Sequence, residues 1–253
     1  MSKLSNKVAV ITGGNSGIGF STAQEFIAQG AKVVITGRKQ AAVDEAVREL
    51  GGSATGVLAD TANLQHTDAL VARVKDLYGQ VDVLFINAGV GHFFPLESAT
   101  EEQFDQIMNI NYKGAYFTLS KFIPLLKDGA SVILLSSVSA TTGMANSSVY
   151  SASKAAMNAL AKVAATELAA RNIRVNIVSP GPIATPIMSK MGLDAAAVEG
   201  FAGAIRNSVP LKRMGTSGEV AKLVTFLAGD DSQFITGAEY LIDGGITVNA
   251  VMS

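Results

Sequence analysis

The sequence predicts a single α/β domain in which a parallel sheet is covered by helices on both faces. Short β-branched runs alternate with amphipathic helical segments, and the runs are apolar on both sides, as strands buried from two directions must be. The chain has 253 residues, 48% of them apolar and 16% charged, enough to bury a substantial core within one domain.

Strands are expected at 8–12, 32–36, 56–60, 81–87, 131–136, 173–179 and 239–243. Between them, helical periodicity runs over 18–29, 41–50, 64–78, 101–126, 149–171 and 217–227. Gly30, Gly51, Gly79 and Gly229 follow helical runs, where a glycine stops a helix at least cost. The stretch 180–215 is irregular, with four prolines, and its part at about 186–214 is expected to form a substrate lid. The alternative is a surface excursion without function.

Composition excludes several classes. A net charge of −1 gives no footprint for nucleic acid or anionic membrane. No run approaches the ~20 apolar residues of a membrane span, and the N-terminal apolar run is too short for a secretory leader. Without cysteine there is no disulfide or thiolate chemistry, and two distant histidines, His66 and His92, argue against a metal site. A soluble, cytoplasmic protein is expected.

Two motifs carry chemistry. Gly13, Gly17 and Gly19, with Asn15, Ser16 and Ile18 between them, join the first strand to the first helix. Glycines permit close backbone approach, and a helix N-terminus offers free N–H groups to a pyrophosphate. At the end of the second strand, Gly37, Arg38 and Lys39 stand where an NAD-binding fold commonly places a carboxylate. A guanidinium suits a 2′-phosphate, at about 1.5–3 kcal/mol per charge-assisted bond, so NADP(H) is the expected cofactor.

The second motif is Tyr150 and Lys154, one helical turn apart on a shared face. A phenol titrates near pH 10, and moving it two to three units needs about 3–4 kcal/mol. One cation at ~4 Å, at an effective dielectric of ~20, offers about 4 kcal/mol before desolvation, enough to make Tyr150 a general acid.

Together these pieces resemble the short-chain dehydrogenase/reductase family, in its branch of single-domain enzymes of about this length. The glycine turn is similar to TGxxxGIG, Asn87-Ala88-Gly89 to the NAG motif, and Tyr150 and Lys154 to YxxxK. Ile86 stands where many members have asparagine. The resemblance implies a Rossmann-like, doubly wound sheet of seven parallel strands. It also implies catalytic roles for Asn111, Ser137, Tyr150 and Lys154, an adenine contact from Asp60, and a nicotinamide-amide contact from Pro180, Gly181, Ile183 and Thr185. Asn111 would hold a water linking Lys154 to solvent; the alternative is an asparagine bridging backbone groups in a helix bend.

The expected activity is NADPH-dependent reduction of an uncharged, partly apolar ketone or aldehyde, or the reverse, alcohol oxidation. Alternatives are a 3-oxoacyl-[acyl-carrier-protein] reductase, and a non-catalytic NADPH-binding sensor or scaffold. His92, Phe93, Ser139, Met144, Met188 and Met191 are expected to face a small-molecule substrate. The resemblance further implies a homo-oligomer, tetramer or dimer.

Overall fold

The computed structural model describes residues 2–185 and 195–248. Seven strands form one sheet, β1 (Val8–Ile11), β2 (Lys32–Gly37), β3 (Ala54–Leu58), β4 (Val81–Ile86), β5 (Leu126–Leu135), β6 (Arg174–Pro180) and, after two short strands, β9 (Glu239–Ile242). Their order is β3-β2-β1-β4-β5-β6-β9, every pair parallel. Chain direction across the sheet reverses between β1 and β4, and in open α/β sheets ligands bind outside the strand ends at that switch point.

Alternation along the strands divides the core into two layers. Val10, Val34, Leu84, Ile86, Val132 and Ile177 face α3 (Leu64–Tyr78), α5 (Gly114–Phe122) and α6 (Ser148–Leu168), where Val74, Phe122 and Met157 meet them. Their neighbours Ala9, Ile11, Val33, Ile35, Phe85 and Ile133 face α1 (Gly17–Ala28) and α8 (Ser217–Ala228), packing on Phe26, Val224 and Leu227. Each of the larger side chains among them contributes about 1.5–3 kcal/mol by leaving water. Helix α2 (Gln40–Leu50) covers the β2–β3 end, where Val43 fills the space left by Gly56: a Cβ there would come within 2.5 Å of it.

The expected helix over 101–126 is broken. It comprises α4 (Glu101–Met108), a π-helical turn at Asn109–Lys113, α5 and a 3₁₀ turn at Ile123–Leu125. The Thr100–Gln103 capping box starts α4. β5 then begins at Leu126 rather than 131, with a register shift opposite Val81 and Val83. Periodicity could not show the π turn, because such a turn keeps the segment helical.

Part of the expected lid, 186–194, lies outside the described residues, as do Met188 and Met191. The remainder contains α7 (Ala195–Ser208), and β7 (Ile183–Ala184) pairs with β8 (Gly215–Thr216) to bring the two ends of the excursion together. Among the described residues no helix is long and apolar enough to cross a membrane.

Candidate active site

A groove of about 780 Å³ opens at the switch point, above the carboxyl ends of β1, β2 and β4. The turn after β1 forms its floor. Gly13 and Gly17 have φ of +64° and +55°, the left-handed region that glycine enters without strain. The turn is fixed from below by two threonines. Thr12 Oγ1 accepts from the N–H groups of Asn87 and Ala88, both at 3.0 Å, and Thr36 Oγ1 accepts from Gly13 N at 3.1 Å. Asn87 Nδ2 donates to Thr12 O and Gly13 O at 2.9 and 3.1 Å, tying the end of β4 to the end of β1. Gly19 is the contact that permits this, since a Cβ there would meet Asn87 Nδ2 at 2.6 Å. No side chain caps α1, so its first N–H groups are left to the groove.

Gly13, Asn15, Ser16, Gly17, Ile18, Gly37, Arg38, Asn87, Ala88, Gly89 and Thr185 all line this groove. Other expected cofactor contacts stand behind it. Gly19 lies under the turn. Lys39 precedes α2 on the surface. Asp60 Oδ1 accepts from Ala62 N at 3.0 Å, while its neighbours Ala59 and Thr61 line the wall. Pro180, Gly181 and Ile183 form the base of the segment that presents Thr185; Gly181 packs so closely on Asp243 that a Cβ would come within 2.7 Å.

His92 and Phe93 also line the groove, and Tyr150 lies against Phe93. Phe93 is 51% exposed and meets the Tyr150 ring edge-on, centroids 5.5 Å apart. Lys154, one turn further along α6, is 4% exposed. Its Nζ donates to Leu135 O at the end of β5 (2.8 Å) and lies 5.9 Å from the Tyr150 ring centroid. Ser137, just past β5, is buried; its Oγ donates to Ser139 Oγ at 3.2 Å and accepts from Ser139 N at 3.2 Å.

The electrostatics differ from the sequence expectation. Burial pushes the Tyr150 phenol above its ordinary value, with the Ser137 hydroxyl pulling the other way. Burial also holds Lys154 down at about 8. Desolvation thus outweighs the attraction assumed at ~4 Å, because the phenol and the ammonium are both out of water.

Asn111 sits in the π turn, fully buried. Its Oδ1 accepts from Val90 N at 2.8 Å, and its Nδ2 donates to Val90 O at 2.9 Å and Ser153 Oγ at 3.1 Å. The amide therefore bridges backbone in a helix bend and joins the loop after β4 to α6. Gly89 keeps this junction close: a Cβ would lie 3.2 Å from Asn111 Oδ1 and 3.4 Å from Lys154 Nζ.

Of the expected substrate contacts, His92 and Phe93 line the groove and Met144 is exposed, whereas Ser139 is buried and bonded to Ser137. Thr12, Thr36 and Ser153 were not anticipated. A threonine ending each of two strands beside a glycine turn was the available signal.

Residues 13–247 match the family model described as Enoyl-(Acyl carrier protein) reductase. An "Oxidoreductase asL5" of Sarocladium schorii is 42% identical over 246 residues, covering 96% of this chain and 97% of that one. The chain belongs to the short-chain dehydrogenase/reductase family. Human "Dehydrogenase/reductase SDR family member 4" is 36% identical, with 96% and 88% covered. The crystal structure of a "Short-chain dehydrogenase/reductase SDR:Glucose/ribitol dehydrogenase" from Brucella melitensis superposes with a TM-score of 0.91 at 30% identity, covering 96% of this chain and 98% of that one. As a short-chain dehydrogenase/reductase the protein is an oxidoreductase with a nicotinamide cofactor. Among its described residues no cluster of three or more His, Cys, Asp or Glu could hold a metal ion.

Proposed function

We propose that the protein is an NADPH-dependent carbonyl reductase acting on uncharged, partly apolar ketones or aldehydes, and in reverse on the corresponding secondary or primary alcohols. The observation that supports this reading is the contact of Tyr150, with Ser137 and Lys154 near it, against Phe93, which lines a groove that also presents Arg38 and no carboxylate. The groove fits a dinucleotide: its floor is backbone wherever Gly13, Gly17 and Gly89 lack side chains, and the open first turn of α1 suits a pyrophosphate. Arg38, with Asn15 near it, would hold the 2′-phosphate, and Thr185 would close over the first turn of α1.

NADPH, when bound, supplies the hydride. Tyr150 gives its proton to the carbonyl oxygen as the alcohol forms, and its raised pKa keeps that proton in place at neutral pH. Ser137 donates a hydrogen bond to the same oxygen and stabilises its growing charge. Lys154, cationic below about pH 8, stabilises the phenolate left behind. Asn111 acts by holding Val90 and α6 in register. His92 and Phe93 offer a partly apolar wall to the substrate.

NADPH and NADH consumption with a panel of ketones and aldehydes tests the reading; absence of turnover alongside tight NADPH binding would favour a non-catalytic sensor. The alternative, a 3-oxoacyl-[acyl-carrier-protein] reductase, shares with the matching Enoyl-(Acyl carrier protein) reductase description only the acyl-carrier-protein thioester. Acetoacetyl thioesters in the same panel separate the two. Exposed Phe104, Tyr116 and Val163 on α4, α5 and α6 support a homo-oligomer, which light scattering would measure.

A further inference from the structure

Ser139 is 5% exposed, against 8% for Ser137, and is bonded to that residue. Both of its polar backbone and side-chain contacts of interest go to one partner. Ser139 N donates to Ser137 Oγ, and Ser139 Oγ accepts the Ser137 proton, each at 3.2 Å. The two residues sit on the 3₁₀ turn that follows β5, with Ser137 as its N-cap, so the backbone fixes their spacing.

A serine hydroxyl has a single proton on a freely rotating bond. To stabilise a developing alkoxide it must point at the oxygen when charge appears there, and donors fixed in advance avoid the cost of reorganising during the reaction. In this site the Ser139 N–H fixes the Ser137 oxygen, and the Ser139 hydroxyl holds the Ser137 proton. When Ser137 turns its proton to the substrate oxygen, the Ser139 O–H can reverse and donate to Ser137 Oγ. Such a chain polarises the donor that touches substrate.

We propose that Ser139 is a positioning residue, which orients and polarises the Ser137 hydroxyl and does not itself contact substrate. This rests on the reductase reading above and deepens it.

The test is a double-mutant cycle of Ser137→Ala, Ser139→Ala and the pair. Ser137→Ala is expected to lower kcat about 10²-fold, as for loss of one oxyanion donor. Ser139→Ala alone is expected to lower kcat roughly tenfold, a typical hydrogen-bond effect, with KM little changed for ketones of different bulk. The double variant should be no slower than Ser137→Ala. Losses that multiply, or a KM effect that grows with substrate bulk, would make Ser139 an independent substrate contact and overturn the proposal.

Thermal unfolding of the same four proteins without cofactor gives a readout that needs no turnover. The two single losses in Tm should sum to more than the double loss; strict additivity would mean the hydroxyl pair is not coupled. A wild type that reduces no carbonyl ends the reductase reading, while the Tm cycle still decides whether Ser139 acts through Ser137.

Discussion

Lys154 holds Leu135 O at 2.8 Å while lying 5.9 Å from the centroid of the Tyr150 ring, so the buried ammonium is anchored to the end of β5 and reaches the phenol only through space. The sheet therefore sets where the charge stands. With its pKa held at about 8 by burial, Lys154 changes charge close to neutrality.

This gives a pH dependence with a definite sign. Ketone reduction should be level below about pH 8 and lose rate as the pH rises through it, because a neutral amine no longer stabilises the phenolate. The kcat profile against pH measures this. A Lys154→Met variant should be slower and lack that inflection.

Stability responds to the same group. The folded value, about 8, lies below the ordinary 10.5, so between these limits the unfolded chain binds more protons. Stability from Lys154 thus increases with pH across that window, by on the order of 3 kcal/mol in full. Urea unfolding at a series of pH values below 10, where tyrosine begins to titrate, should show the wild type gaining relative to Lys154→Met. Parallel curves would mean that Lys154 is not desolvated.

Cofactor preference is best probed at Arg38. A Gly37→Asp change would confound the question, since a Cβ at Gly37 would meet Asn15 Oδ1 at 2.7 Å and Val43 Cγ2 at 2.8 Å. Arg38→Ala should weaken NADPH binding roughly tenfold to 150-fold and leave NADH nearly unchanged. Fluorescence titration with both cofactors reads this out; equal losses for both would remove Arg38 as the reader of the 2′-phosphate.

Asn111→Ala would remove three buried hydrogen bonds and leave Val90 N–H, Val90 O and Ser153 Oγ short of a partner. A loss of about 2–4 kcal/mol in unfolding free energy is predicted. A loss well under 1 kcal/mol would mean that the π turn does not depend on this amide.

The strand and helix order was legible because each strand is apolar on both faces, and the glycine turn and Tyr150–Lys154 pair because their spacing is local. What the chain did not show was set by distant partners. The partners of Asn111 are Val90 and Ser153, 21 and 42 positions away in sequence. The burial of Ser139 and its bonds to Ser137 depend on how the turn after β5 packs. The sign of the Tyr150 shift followed desolvation, which depends on how β5, α6 and the loop after β4 close together.

In the proposed reaction Tyr150 transfers the proton while the groove beside it holds the cofactor. The decisive variant is Tyr150→Phe, with NADPH affinity and kcat for ketone reduction measured on the same sample. Near-native NADPH binding and a kcat lowered about 10²–10⁴-fold are expected. A phenylalanine variant that turns over at the wild-type rate would contradict it.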